Sequence, residues 1–287
     1  MSEFSYARVD CKGWSGLIHQ GIQTEEVFKL FSEQRGIRED PGSIQKVKEN
    51  RKVRVWRSWL TFNGHPCEIY IKQFLLHSFF ALIKYDLGKS RARSAFHASL
   101  MLGRCGISAP LPLAVAEKKK GPVTQSSIMI TQAIQGSEQL DRKLEHISGE
   151  YFIESLRNRR QLIREFGKAV GQMHDQGILH GDLRLRNVLV QQDGENYFFW
   201  FIDNERTKRF AILSPRQVRK NLVQVNKWKA ATNTDRLRFL KAYVRERGWS
   251  ETDVKKMSSK VARRIWWRDI IDWIRKPLKR YKPTLGS

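Results

Sequence analysis

The sequence predicts an α+β chain, with a small antiparallel sheet in an N-terminal lobe and a mainly helical C-terminal lobe. Three observations carry this. Residues 52–74 alternate apolar and polar side chains on either side of Asn63-Gly64, the pattern of a β-hairpin. Residues 151–175 repeat apolar side chains at helical spacing, with Phe152, Leu156, Leu162, Phe166, Ala169, Val170 and Met173 on one broad face. A chain of 287 residues with 40% hydrophobic content can bury a sizeable core, as one domain in two lobes or as two small domains. The expected division is residues 1–132 for the sheet-bearing lobe and 133–287 for the helical one.

In chain order, residues 1–50 are mixed and polar, with one helix expected over 24–33 that turns Val27, Phe28, Leu30 and Phe31 inward, and a turn at Asp40-Pro41-Gly42. The first hairpin strand interleaves Val53, Val55, Trp59 and Leu60 with Arg54, Arg57 and Ser58; the second, 68–74, sets Lys72 among apolar neighbours. A helix is expected over 90–102, ending at Gly106-Ile107. Glu117 to Gly121 reads as a solvated basic turn, and 127–133 as a buried strand that runs to a turn at Gly136. The long helix 151–175 is capped by Gly177, and a later one, 234–246, buries Leu237, Leu240 and Val244.

The stretch from Gly177 to Arg206 carries the chemistry. Asp182 and Asn187 lie five positions apart on a short polar loop between apolar runs, and a strand over 197–202 delivers a second carboxylate, Asp203. Phosphoryl transfer needs this inventory: a carboxylate to orient the attacking hydroxyl, oxygen ligands for Mg²⁺ and a cation to offset charge on the transferring group. Asp182 suits the first role, Asn187 and Asp203 the second, and Arg184 the third. His180 is expected to hold the loop by hydrogen bonding.

The spacing resembles the H-R-D-L-x-x-x-x-N loop and D-F-G aspartate of protein kinases, which implies a protein-kinase-like two-lobed fold and ATP as the nucleotide. Gly181 stands where many protein kinases carry a regulatory arginine, and Asn204 and Glu205 replace the Phe and Gly after the aspartate. HGDL, the ID-N-E run, the SRAR and GISAPLPLAV segments and residues 232–249 are most similar to the lipopolysaccharide-core kinases of the Kdo/WaaP family, a resemblance spanning roughly Lys48 to Trp249. It implies a kinase acting on a heptose or Kdo hydroxyl of the lipopolysaccharide inner core, using ATP and Mg²⁺, with no nucleic-acid partner. An atypical protein kinase, a small-metabolite kinase or a non-catalytic module binding anionic partners remain open.

Lys72 on the second hairpin strand resembles the kinase lysine that binds the α- and β-phosphates, although an edge-strand charge fits the residue alone. No G-x-G-x-x-G precedes it; Lys48, Arg51 and Lys52 occupy the loop position, so side-chain cations such as Lys52 are expected to hold phosphates. The helix over 90–102 lacks the glutamate that pairs with this lysine in protein kinases, leaving Ser94, His97, Asp86 and Glu68 as substitutes.

A formal charge of +24 and a pI near 10.2 make an anionic partner an expectation, whether nucleic acid, membrane or phosphorylated substrate. Cys11, Cys67 and Cys105 are too scattered for a disulfide framework or a zinc site. The N-terminal residues show no secretory signal, and the apolar run 74–83 is too short to span a bilayer. From Lys255 to Ser287 eleven Lys and Arg face two Asp, a net +9. A helix over 261–276 would put Trp266, Trp267, Ile270, Ile271, Trp273 and Ile274 opposite Arg264, Arg268, Asp272, Arg275 and Lys276. That suits either the headgroup layer of an anionic membrane, at the cytoplasmic face, or docking on the helical lobe.

Overall fold

The computed structural model describes residues 5–11, 13–32, 44–75, 90–120, 123–148, 153–228, 230–250, 252–253, 255–257 and 259–263. The Asp40-Pro41-Gly42 turn, Asp86 and nearly all of the helix expected over 261–276 lie outside them. The chain divides into two compact units, one of Met1–Ser137 with Trp200–Lys208, the other of Glu138–Phe199 with Arg209–Ser287. The α+β expectation holds, with a seven-stranded sheet in the first unit and mainly helices in the second.

The first unit is built on strands β1 (Tyr6–Cys11), β2 (Trp14–His19), β3 (Ile44–Glu49), β4 (Val53–Phe62), β5 (His65–Leu75), β6 (Pro112–Lys120) and β7 (Val123–Gln132). Their order is β1-β2-β6-β7-β5-β4-β3, and each neighbouring pair is antiparallel. The expected hairpin is β4–β5, closed at Asn63 (φ 51°) and Gly64 (φ 79°). Strand period sorts side chains to two faces. Ile69 and Ile71 join Trp56, Leu60, Ile128 and Ile130 in one core, which also takes Val27 from helix α1 (Thr24–Ser32). Phe74, with Val115 and Met129, packs on the other face against Ala92, Ala95, Phe96 and Leu100 of helix α2 (Arg91–Arg104). Lys72 is two positions from Phe74 and shares that face.

Three readings of this unit change. β1, β2 and β3 arise in the N-terminal stretch read as polar with one helix, because their polar residues lie at edges or on the solvent side. Trp59 is 55% exposed, and it is Trp56, Ser58 and Leu60 that turn inward. Glu117 to Lys120 continue β6, where Glu117 is buried beside Arg93 (3.5 Å) and accepts from the Ser90 amide (3.3 Å). A carboxylate satisfied by α2 needs no solvent.

The second unit holds α3 (Leu140–Ser148), α4 (Ile153–Asp175), α5 (Pro215–Val225) and α6 (Asn233–Glu246), with the short strands β8 (Ile178–Leu179) and β9 (Val188–Asp193). α4 and α6 approach closely because Gly167 and Gly171, one turn apart on α4, meet α6. A Cβ on Gly167 would lie 2.6 Å from the Phe239 carbonyl oxygen, and one on Gly171 2.8 Å from Glu246 Cβ. Arg159 of α4 clips them together, donating to Asp235 Oδ2 (2.7 Å) and Ala230 O (3.2 Å) with its guanidinium over the Trp228 ring. Burial alone would raise the Asp235 pKa, but the bonds from Arg159 and Thr232 outweigh it and hold the carboxyl below its ordinary value. Leu237, expected inside, is exposed, and Phe239 and Tyr243 are buried with Leu240 and Val244. Among the described residues no helix is long and apolar enough to cross a membrane.

Candidate active site

In the second unit α4 ends at Asp175 and the chain turns at Gly177 (φ 71°), where a Cβ would overlap the Phe210 carbonyl oxygen. β8 then leads to the loop His180–Asn187, whose last three residues form a 3-10 turn before β9. The loop is closed on itself. His180 is buried, and its Nδ1 accepts from the Asp182 amide (3.2 Å), the holding role expected of it. Asn187 Nδ2 donates to the Asp182 carbonyl (2.8 Å) and approaches Asp182 Oδ2 (3.4 Å). Arg184 Nε lies 2.8 Å from Asp182 Oδ1 without N–H alignment, an ion pair more than a hydrogen bond. Asp182, Arg184 and Asn187 are thus neighbours.

Helix α5 fastens the loop from below. Asn221, fully buried, accepts from the His180 amide (3.2 Å) and donates to the His180 carbonyl (2.5 Å). Gln224, one turn on, accepts from the Leu183 amide (3.1 Å) and donates to the Gly181 carbonyl (3.2 Å). Behind them His174 contacts Asn221 Oδ1 through Nε2 (3.1 Å) and the Tyr243 hydroxyl through Nδ1 (2.9 Å). Asn221 Oδ1 can only accept, so Nε2 carries the proton and the Tyr243 hydroxyl donates to Nδ1. Burial lowers the His174 pKa to about 4 and raises that of Tyr243 to about 12, so both stay neutral. α5 is capped by Ser214 and Gln217 in a capping box with Pro215 at its first turn, which fixes where Asn221 and Gln224 fall. Sequence reading passed over these two residues. Their signal was polarity at i and i+3 on the face that carries Val218, Leu222 and Val225.

The first unit holds the remaining candidates. Lys72 ion-pairs with Asp203, and its Nζ lies 5.0 Å from the Phe74 ring centroid. Of the substitutes expected for the missing glutamate, Glu68 is committed to Arg57 and Gln135, and the carboxylate partner of Lys72 is Asp203. Lys52 is exposed in the β3–β4 turn, which Asn50 shapes by accepting from the Lys52 and Val53 amides (2.9 Å each), and the Lys52 carbonyl accepts from Leu75 (3.0 Å). Asp203 has a left-handed backbone, φ 64° and ψ 39°, uncommon outside glycine.

The donor chemistry suits Mg²⁺. Asn187 spends its Nδ2 on Asp182, which leaves Oδ1 for a hard cation, and Asp203 supplies a partly exposed carboxylate. No cluster of three or more His, Cys, Asp or Glu side chains able to hold a metal occurs among the described residues. Asn187 and Asp203 each supply an oxygen donor of the kind a hard cation takes alongside nucleotide oxygens and water.

Residues 41–243 match the Lipopolysaccharide kinase (Kdo/WaaP) family. The chain is 27% identical over 123 residues to a 3-deoxy-D-manno-octulosonic acid kinase of Actinobacillus succinogenes, covering 42% of this chain and 47% of the relative. It is 33% identical over 162 residues to KEOPS complex subunit Bud32 of Pyrococcus abyssi, covering 55% of this chain and 66% of that one. The match thus spans about half the length of the octulosonic acid kinase. Among solved structures, WaaP in complex with acyl carrier protein superposes with a TM-score of 0.54 at 20% identity, over 76% of this chain and 88% of that one, a likeness of fold. With its matched region running from before β3 into α6, the chain belongs to the lipopolysaccharide kinase (Kdo/WaaP) family.

Proposed function

We propose that this protein transfers the γ-phosphoryl group of ATP to a sugar hydroxyl, heptose or Kdo, of the lipopolysaccharide core. The observation that carries the reading is the self-closed loop of Asp182, Arg184 and Asn187 in a chain of this family. Asp182 orients the acceptor hydroxyl and accepts its proton, while Arg184, paired with Asp182 at rest, turns to the transferring phosphoryl. Lys72 and Lys52 hold the nucleotide phosphates, and Lys72 neutralises Asp203 until nucleotide arrives. Asn187 and Asp203 would ligate Mg²⁺, which offsets charge on the phosphates.

The net charge of +24 favours a phosphorylated or carboxylated acceptor, and the basic, tryptophan-rich C-terminal stretch supports peripheral attachment to an anionic membrane at its cytoplasmic face. The test is γ-labelled ATP offered with purified core oligosaccharide or with a generic protein substrate. Label transferred to the saccharide supports the reading; label on protein alone favours an atypical protein kinase, and label on neither refutes a kinase of either kind.

A further inference from the structure

Asp203 holds a left-handed backbone conformation that L-residues avoid. The Asp203 segment is fastened to α2 and the residues after it at several points within the first unit. The Phe201 amide donates to the Ser108 carbonyl (2.9 Å), and Asn204 Nδ2 donates to the Phe201 carbonyl (2.9 Å) and Ser99 Oγ (3.3 Å). The charged fastening is Glu205, whose two oxygens lie 2.8 and 3.0 Å from one terminal nitrogen of Arg91. Arg91 is the first residue of α2, capped by Ser90, in a first turn without acidic residues, where a carboxylate is favoured by the helix dipole. Its guanidinium also sits 4.7 Å from the centroid of the Phe74 ring, the ring that carries Lys72. Phe74 is 3% exposed and belongs to the α2 core. Two cations on one rigid ring therefore meet two carboxylates two residues apart, Lys72 with Asp203 and Arg91 with Glu205.

We propose that Arg91 and Glu205 are positioning residues that hold Asp203 in its metal-binding backbone conformation, a charge-reversed replacement for the lysine–glutamate pair whose helix glutamate is missing here. In protein kinases the helix supplies the acid and the sheet the base. In this chain the helix supplies the base, and the acid comes from the segment that bears the metal ligand. The pair acts through the backbone: with Glu205 anchored, the chain between Asp203 and Glu205 cannot relax out of the left-handed region without breaking the Asn204 bonds as well.

The inference rests on Asp203 being the Mg²⁺ ligand, and the experiment separates the two. Full-length wild type, Arg91→Ala, Glu205→Gln, the exchange R91E/E205R and Asp203→Ala are titrated with Mg²⁺ at fixed fluorescent ADP. Nucleotide binding and the nucleotide-free melting temperature are both read. Each single change is expected to raise the Mg²⁺ concentration for half-maximal binding ~10-fold. The melting temperature should stay within a few degrees of wild type, as for a partly exposed pair. The exchange should return the Mg²⁺ midpoint to within ~3-fold of wild type. A wild-type midpoint in both single variants overturns the proposal. So does an exchange variant as impaired as Arg91→Ala, which would make Arg91 a direct phosphate ligand, and so does a loss that follows melting temperature alone. If Asp203→Ala keeps the wild-type midpoint, the metal assignment fails instead.

Discussion

Acidification should weaken the second unit through His174. The imidazole is fully buried between Asn221 and Tyr243, and burial lowers its pKa from 6.5 to about 4. The unfolded chain binds this proton near pH 6.5 and the folded chain only near pH 4, so the unfolded state gains stability as pH falls between those values. The whole contribution is present above pH 6.5, declines through that window and is flat below it. A pKa difference of about 2.5 at 1.36 kcal/mol per unit amounts to ~3 kcal/mol. That is a large share of the 5–15 kcal/mol typical of a domain. Urea unfolding followed by far-UV circular dichroism, which reads mainly the helical unit, would be run from pH 7 to pH 4.5 on wild type and His174→Gln. The variant starts less stable, since Asn221 and Tyr243 lose a partner, but its stability should fall with pH by ~2 to 3 kcal/mol less than that of wild type. Equal slopes in the two proteins would refute a buried neutral His174. Loss of hydrogen-exchange protection in the 180–187 loop over the same window would place the effect at Asn221 and His180.

Other expectations follow from the same geometry. Asp182→Ala should lower turnover ~10²- to 10⁴-fold with nucleotide binding nearly intact, whereas Asp203→Ala should impair both; equal loss of nucleotide affinity in the two would contradict their roles. Asp235→Ala strands the buried Arg159 guanidinium and should cost ~3–5 kcal/mol in urea unfolding, with Asp235→Asn milder. Gly167→Ala forces α4 from α6 and should cost ~1–3 kcal/mol by the same assay; an unchanged midpoint would mean that the helices separate freely. Removing residues 261–287 should release the protein from anionic vesicles in a pelleting assay, and unchanged pelleting would transfer membrane attachment to another surface.

Much of this was legible in the linear chain. The Asn63-Gly64 hairpin, the α2, α4 and α6 helices and the short loop that makes neighbours of Asp182, Arg184 and Asn187 all follow from local periodicity, turn residues and spacing, which neighbours in sequence determine. Pattern reading failed where partners are distant. Glu117 read as solvated because Arg93 and the Ser90 amide, its partners, come from another element. Trp59 and Leu237 looked like core by type, yet the register of β4 and the phase of α6 turn them to solvent. The polar face of Asn221 and Gln224 gained meaning only once α5 met the backbone of residues 180–183. Likewise no spacing rule joins Arg91 to Glu205 or Lys72 to Asp203, more than a hundred residues apart. Local chemistry chose the elements and the polar loop between them; long-range packing chose their partners, because hydrogen bonds and ion pairs depend on proximity in space, which a folded core alone supplies.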